Sequence, residues 1–395
     1  MARQGPADAE VIVVGSGPAG AATAIGLARR GRRVLLLEGR DFTRRPEPRA
    51  AEMRSGEVLS PGSQREVQRL GLPVEGVDWR FSSFAALRNR WPNGRVTLDP
   101  LPRGLAFWQT DRGRFDRALF ALARAEGVDA RDGCRVRDVL RDASGDDGAI
   151  RGVVTGEAAG PGRAWRAPVV VDASGRHSPM LVRLGLKAPD PEFRRVAMVC
   201  FYDWVPDCPP GVWEQHFLAV GSTALKGSMM TEGLYRFSLE TDLATRDCFA
   251  ARHGRQPPHA TLLALLAELH PALHERFRAA RPRRYSMAYA PVGYRVRRIA
   301  HDGLVLVGDA AGYLDPATGQ GIEFALRSAR LAAGAIDAAL AAGDCRREQF
   351  APYLLSRERE FARSLAWLRL YLRISGRPAA LRIVSRVPAA RAALI

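Results

Sequence analysis

The stretch that most constrains this chain is Val11-Ile-Val-Val-Gly15-Ser-Gly17-Pro-Ala-Gly20, an apolar, β-branched run that empties into glycines at GxGxxG spacing. Such a run suits a buried strand, and residues 18–30 after it suit a helix. Gly15 permits a tight strand-to-helix turn, Gly17 lets a pyrophosphate approach the backbone with no Cβ between, and Gly20 lets the helix pack close to the strand. The turn and helix start, made of Gly15, Ser16, Gly17, Pro18, Ala19 and Gly20, then offer a dinucleotide free N–H groups and the positive end of a helix dipole. A second apolar strand, Val34-Leu-Leu-Leu-Glu38, ends in an acid placed to accept hydrogen bonds from ribose hydroxyls. Glu38 argues against a phosphorylated ribose at that point.

Composition narrows the setting. With 395 residues and 47% hydrophobic content the chain can bury one or two cores. Its five cysteines, an odd number without CxxC spacing, encode neither a disulfide framework nor a zinc site, and a reducing, cytoplasmic compartment is expected. The polar N-terminal segment leads straight into the first strand and no apolar run reaches about 18 residues, so neither a signal peptide nor a membrane span is expected. The net charge of +17 is almost all arginine, Lys187 and Lys226 being the only lysines, and it is scattered along the chain. Without an RNA-binding or helix-turn-helix pattern it reads as solvated surface that attracts anions, and no nucleic-acid partner is expected.

Farther along, a helix is expected at 64–71 and strands at 85–89 and 95–98 around the turn Pro92-Asn93-Gly94. Thr110-Asp-Arg112-Gly-Arg-Phe-Asp116 opens a helix whose Phe115, Leu119, Leu122 and Ala123 recur at helical spacing. Strands follow at 135–140, 150–155 and 168–171, the last running into Asp172-Ala-Ser-Gly175. Segments 196–204, 213–220, 235–240 and 285–290 suit an antiparallel sheet with a helical insertion at 260–279. The tail, 357–395, places Phe361, Leu365, Leu368 and Leu372 on one helical face, with arginines elsewhere. It allows two readings: a helix docked on the body, or a basic amphipathic helix in peripheral membrane contact through Trp367 and Tyr371. The histidine pair His270 and His274 has metal-ligand spacing but lacks a third ligand, so no metal is expected. His177, beside the Gly175 turn, reads as a hydrogen-bonded structural residue.

A second glycine-bounded motif lies far down the chain, in Gly308-Asp309-Ala-Ala-Gly312-Tyr-Leu-Asp315-Pro316-Ala-Thr-Gly319-Gln-Gly321-Ile322. Together with GxGxxG and Glu38 it resembles the FAD fingerprints of the flavoprotein superfamily of aromatic hydroxylases, geranylgeranyl reductases and flavin-dependent halogenases, over nearly the whole chain. The resemblance implies an α/β, Rossmann-like FAD-binding domain with a second α+β substrate domain on an antiparallel sheet, plus C-terminal helices. The expected boundaries are 8–75, 105–190 and 286–342 for the discontinuous FAD-binding domain, 76–104 and 191–285 for the substrate domain, and 343–395 for the tail. It also implies that Gly308 and Asp309 meet ribityl or ribose hydroxyls, that Pro316 walls the isoalloxazine ring, and that the helix start at Gly319, Gly321 and Ile322 faces the flavin pyrimidine. By the same resemblance Arg112 reaches the cofactor, the backbone of Val136 meets the adenine, and Arg54 and Glu57 lie near the flavin. Arg114 and Asp116 are expected to form a surface pair.

The activity implied first is that of a monooxygenase acting on an aromatic or polyketide-like small molecule through a flavin C4a-hydroperoxide, with NADH or NADPH as electron donor. Phe201, Trp204, Trp213, Phe217, Tyr235 and Phe237 are candidates to line the substrate cavity, and equally good as core. Gly312 stands where many hydroxylases have histidine, and Asp172-Ala-Ser-Gly175 where they have Asp-Gly. Reductases and halogenases share both features, which leaves open a separate flavin reductase as donor and a reductase acting on an isoprenoid or lipid double bond. Flavin-dependent halogenation is the third reading: Ser55-Gly56-Glu57-Val-Leu-Ser-Pro61 is similar to that branch's N-terminal loop, but the chain has no lysine before Lys187 and no GWxWxIP stretch.

Overall fold

The computed structural model describes residues 7–42, 57–142, 148–156, 162–188, 192, 195–218, 220, 223–231, 233–289, 292–316 and 319–387. The glycine-bounded strands lie side by side in a six-stranded sheet ordered Ala300–His301, Leu304–Leu306, Val169–Asp172, Val11–Val14, Val34–Leu37 and Asp129–Arg131. All neighbours are parallel except the first pair. The three central strands are buried along their whole length, which is why they read as continuous apolar runs and not as alternation. On one face the helices Pro18–Ala28 and Gly321–Ala341 pack together with the help of small residues, Ala24, Ala329, Ala332 and Ala333 among them. The other face is covered by the three-stranded sheet Val136–Arg141, Ile150–Thr155 and Arg163–Arg166, through Val153 and Trp165.

Opposite stands a seven-stranded sheet ordered Arg281–Tyr289, Arg195–Asp203, Leu234–Asp242, Ala224–Thr231, Val212–Phe217, Ala86–Arg90 and Val96–Pro100. Only the Val212–Phe217 and Ala86–Arg90 pair is parallel. Its strands alternate: Tyr235, Phe237 and Leu239 bury against the helices Leu243–His253, Pro258–Leu269 and Pro271–Arg278, while Arg236, Ser238 and Glu240 face the other way. The long helix Ala351–Ser375 docks Leu365, Leu368 and Tyr371 against Trp91, Phe217 and Leu314. The apolar face of the tail is thus used for docking, and Trp367 and Tyr371 point into the molecule. No helix of the described residues is long and apolar enough to cross a membrane.

Several elements differ from expectation, among them the strands Glu57–Leu59, Arg80–Phe84, Phe107–Thr110, Asp129–Arg131 and Arg163–Arg166, which no expected segment covers. The strand Ala224–Thr231 was not anticipated, because Ala-Leu-Lys-Gly-Ser-Met-Met-Thr breaks the β-branched alternation that marks strands. The helical insertion begins earlier, at Leu243, and comprises three helices; the first buries only Phe249, too little to show an apolar face in the sequence.

Candidate functional site

Where the first strand ends, Gly15 turns the chain at a φ of +92°, a conformation that side chains rarely adopt. A Cβ on Gly20 would lie 1.8 Å from the carbonyl oxygen of Gly15, so the helix can start here only without one. Gly17 differs from both. A Cβ there meets nothing within 4 Å and would project into a cavity of about 1470 Å³, lined at this end by Gly15, Gly17, Pro18 and Ala19. Among the described residues no side chain caps the helix start, which leaves first-turn N–H groups for a ligand.

Ser16 lies behind the cavity wall, fully buried. Its N–H and hydroxyl both donate to Glu38 Oε2, at 2.8 and 2.7 Å, and the Arg40 N–H donates to Oε1 at 2.8 Å. Burial pushes the Glu38 carboxyl up, but Arg40 and Ser16 outweigh it and hold it at about 2. From Glu38 a chain of ion pairs runs along the wall. Arg40 reaches Asp116 at 2.8 Å, Asp116 accepts from Arg112 Nε at 3.1 Å, and Arg112 Nη1 donates to Glu57 at 3.0 Å. The expected surface pair of Arg114 and Asp116 is therefore corrected. Asp116 is 3% exposed and clamped between two arginines, whereas Arg114 lies by Asp111 and Asp78. The i, i+4 spacing of Arg112 and Asp116 on one helix face was the available signal. Arg54 lies outside the described residues.

The second motif arrives beside the first. Gly308 packs so tightly on the first helix that a Cβ would lie 2.7 Å from that of Ala19, and its N–H donates to Ser328 Oγ at 3.1 Å. Asp309 follows on a short turn with its side chain in the cavity, where burial raises its carboxyl above the usual range against the pull of Arg176 and Arg112. Pro316, Gly319, Gly321 and Ile322 line the same cavity, and the helix from Gly321 also lacks a side-chain cap. Val136 lines it beside Cys134 and Arg135. The loop 173–177, His177 included, forms another edge, anchored by the buried Asp172, which accepts from the Ser174 N–H at 3.0 Å and from the Ser174 and Ser178 hydroxyls.

The cavity continues onto the seven-stranded sheet, where Ala197, Val199, Trp213, Gln215, Lys226, Arg236, Ser238 and Glu240 form a wall and Trp367 and Tyr371 close one side. Phe107 stacks on Phe84 and Phe84 on Trp213, both at 5.2 Å between centroids, and the Arg236 guanidinium lies 5.8 Å from the Trp213 ring. Lys226 pairs with Glu240 at 3.1 Å; burial pulls its ammonium down, and Glu240, Tyr371 and Asp315 together more than offset this, so it stays cationic. Arg195 pairs with Asp315 at 2.6 Å, next to Pro316. Of the six aromatics expected here only Trp213 lines the cavity. Tyr235 and Phe237 pack under the helices, Phe217 stacks on Trp91, Phe201 packs with Met230 and Leu234, and Trp204 is 75% exposed. His270 accepts from the Leu273 N–H and packs edge-on against buried His216 at 5.7 Å. Among the described residues no cluster of three or more metal-ligating side chains occurs.

This layout, an uncapped GxGxxG helix start and a second glycine-bounded helix start meeting over a parallel sheet, is that of a dinucleotide-binding flavoprotein. Residues 8–362 match the FAD binding domain family, and the chain belongs to it. It is 25% identical over 369 residues to the 1H-pyrrole-2-carbonyl-[peptidyl-carrier protein] chlorinase of Pseudomonas fluorescens, covering 88% of this chain and 79% of that protein. It is 27% identical over 335 residues to the menaquinone reductase of Mycolicibacterium smegmatis, covering 82% and 75%. Among solved structures, the myxobacterial chondrochloren halogenase superposes with a TM-score of 0.78 at 26% identity, covering 92% of this chain and 82% of that one. A geranylgeranyl bacteriochlorophyll reductase-like protein of Thermoplasma acidophilum does so with 0.79 at 21%, covering 98% and 95%. The protein is an FAD-dependent oxidoreductase. The residues present fit the cofactor, since a Cβ on Gly17, Gly319 or Gly321 would meet no atom within 4 Å and both helix starts that line the cavity are uncapped.

Proposed function

We propose that this chain is a monooxygenase that hydroxylates an aromatic or polyketide-like small molecule, with FAD held between the two glycine motifs. The observation that carries the reading is the continuity of one cavity from the cradle at Gly17 and Asp309 to the stacked Phe107, Phe84 and Trp213. Its volume exceeds the roughly 300–1,000 Å³ of ordinary ligand pockets, so a substrate has room beside a dinucleotide. Bound FAD supplies electrons and activates O2. The chain's part is to hold a planar substrate on the aromatic wall and to exclude water with Trp367 and Tyr371. Arg112, Glu38, Val136 and Asp309, with the backbone at Gly15 to Gly20 and Gly319 to Ile322, are the proposed cofactor contacts. Five free cysteines suit a reducing, cytoplasmic setting.

The runner-up readings, halogenation and double-bond reduction, draw support from the relatives that carry those activities in their names. A mixed wall of Lys226, Arg236 and Glu240 favours a polar ring over an aliphatic chain, which supports hydroxylation against isoprenoid reduction. The test is to reduce the bound flavin with NADH, NADPH or an added flavin reductase, then admit isotopically heavy O2 with bromide present and a panel of phenols and quinones. One heavy oxygen atom in a product supports the proposal. A brominated product, or a saturated one without heavy oxygen, overturns it and selects the corresponding alternative.

A further inference from the structure

Arg357, on the helix Ala351–Ser375, is 4% exposed and lies with its guanidinium 5.4 Å from the ring centroids of both Phe324 and Phe361. Its Nη2 donates to the Gly312 carbonyl oxygen at 3.2 Å, while Nε and Nη1 are buried with no hydrogen-bond partner among the described residues. A cation is seldom left this way, because each uncommitted buried donor on a charged group costs more than an ordinary lost hydrogen bond. The guanidinium borders a small chamber of about 40 Å³ behind the loop of the second glycine motif. Asp309, Tyr313, Pro316 and Gly321 line both this chamber and the large cavity, so the cation lies behind the wall of the proposed cofactor site. The uncapped helix start at Gly321 opens on the same point.

We propose that Arg357 is a positioning residue for the cofactor's electronics: its positive charge, delivered from the tail helix behind the Asp309–Pro316 loop, favours the reduced, anionic flavin over the oxidised one. The physical basis is general. A flavin gains negative charge on reduction, and a fixed cation in a medium of low dielectric stabilises the product of that change more than its starting state. The chamber has room for one or a few waters, which would relay the uncommitted N–H groups without cancelling the charge. Aromatic rings on both sides hold the cation in place, and the carboxylates that feel its charge are Asp309, on the cavity side, and Glu360, on its own helix. The role holds for oxygenation, halogenation or reduction alike, since each passes through the reduced flavin.

The test is the midpoint potential of the bound flavin in holoprotein, measured by dye equilibration for wild type, R357M and R357K. R357M is expected to retain reduced FAD at least about ten-fold less well relative to oxidised FAD, a fall of about 30 mV for two electrons, and R357K to recover most of it. An unchanged potential in R357M overturns the inference, because the guanidinium then serves packing and buried water alone. An equal fall in R357M and R357K also overturns it, since shape and not charge is then responsible. Should R357M lose FAD altogether, R357Q against R357K carries the same two outcomes.

Discussion

On the cofactor side of the cavity Gly15, Gly17 and Gly20 act through the backbone, whereas on the far side Lys226, Arg236 and Glu240 act through side chains on strands that no motif marks. The first wall is fixed by close approach: a carbonyl oxygen sits where the Cβ of residue 20 would be, and Ala19 where that of residue 308 would be. The second is fixed by pairing of charges over an alternating sheet whose other face carries the core. At Gly15, Gly20 and Gly308 the first wall therefore tolerates almost no substitution of shape, while the other should exchange its polar groups provided that they change together.

Replacements at single positions can break that contrast. Gly20→Ala is expected to have the largest effect, on the order of 4 kcal/mol or more, because a backbone atom must move; urea denaturation of the apoprotein measures it. Lys226→Met strands Glu240 in the wall and should cost about 3 to 5 kcal/mol with FAD content unchanged, while K226M/E240M together should recover most of that loss. Recovery of Gly20→Ala by a partner substitution, or failure of the Lys226 and Glu240 pair to compensate, would erase the distinction.

Acid acts on the two walls at different pH. The folded Glu38 carboxyl lies at about 2, so as pH falls below the ordinary carboxylate value the unfolded chain takes up a proton first. Stability is then lost between roughly pH 4.5 and pH 2, by at most about 3 kcal/mol, and Glu38→Gln should flatten that limb of a pH series of denaturation curves. His216 on the sheet side is held neutral, its imidazole pushed well below its usual value by burial and then by His270 and Arg90. Its unfolded form protonates below about pH 6.5, so the substrate side should begin to weaken at higher pH than the cofactor side. Gly17→Ala is expected to have the smallest effect on stability, within about 0.5 kcal/mol, since nothing lies within 4 Å of its added methyl, yet it should lower FAD affinity by filling the cradle.

The same contrast explains what could be read from the chain. Backbone sites leave residue signatures: the glycine spacing, Glu38 at the end of its strand and the Gly308-Asp309 turn all mark positions that the structure brings to one cavity. Side-chain sites leave almost none. Lys226 lies in a strand without β-branched alternation, and Phe84, Phe107, Trp367 and Tyr371 come from three distant elements that only the tertiary fold assembles. Asp116 looked like a surface acid because its second arginine, Arg40, lies 76 residues away in sequence. In the sequence Arg357 is one of several arginines of an amphipathic tail, and only the packing of Phe324 and Phe361 around it sets it apart.

We propose that Asp309, brought beside the first glycine turn, faces the cofactor's hydroxyls. Titration of FAD into apoprotein, followed by flavin fluorescence, tests it in the Asp309→Ala variant. The expected result is binding weakened by about 10- to 100-fold at unchanged thermal stability, the loss of a buried acceptor. Wild-type affinity in that variant would contradict the account.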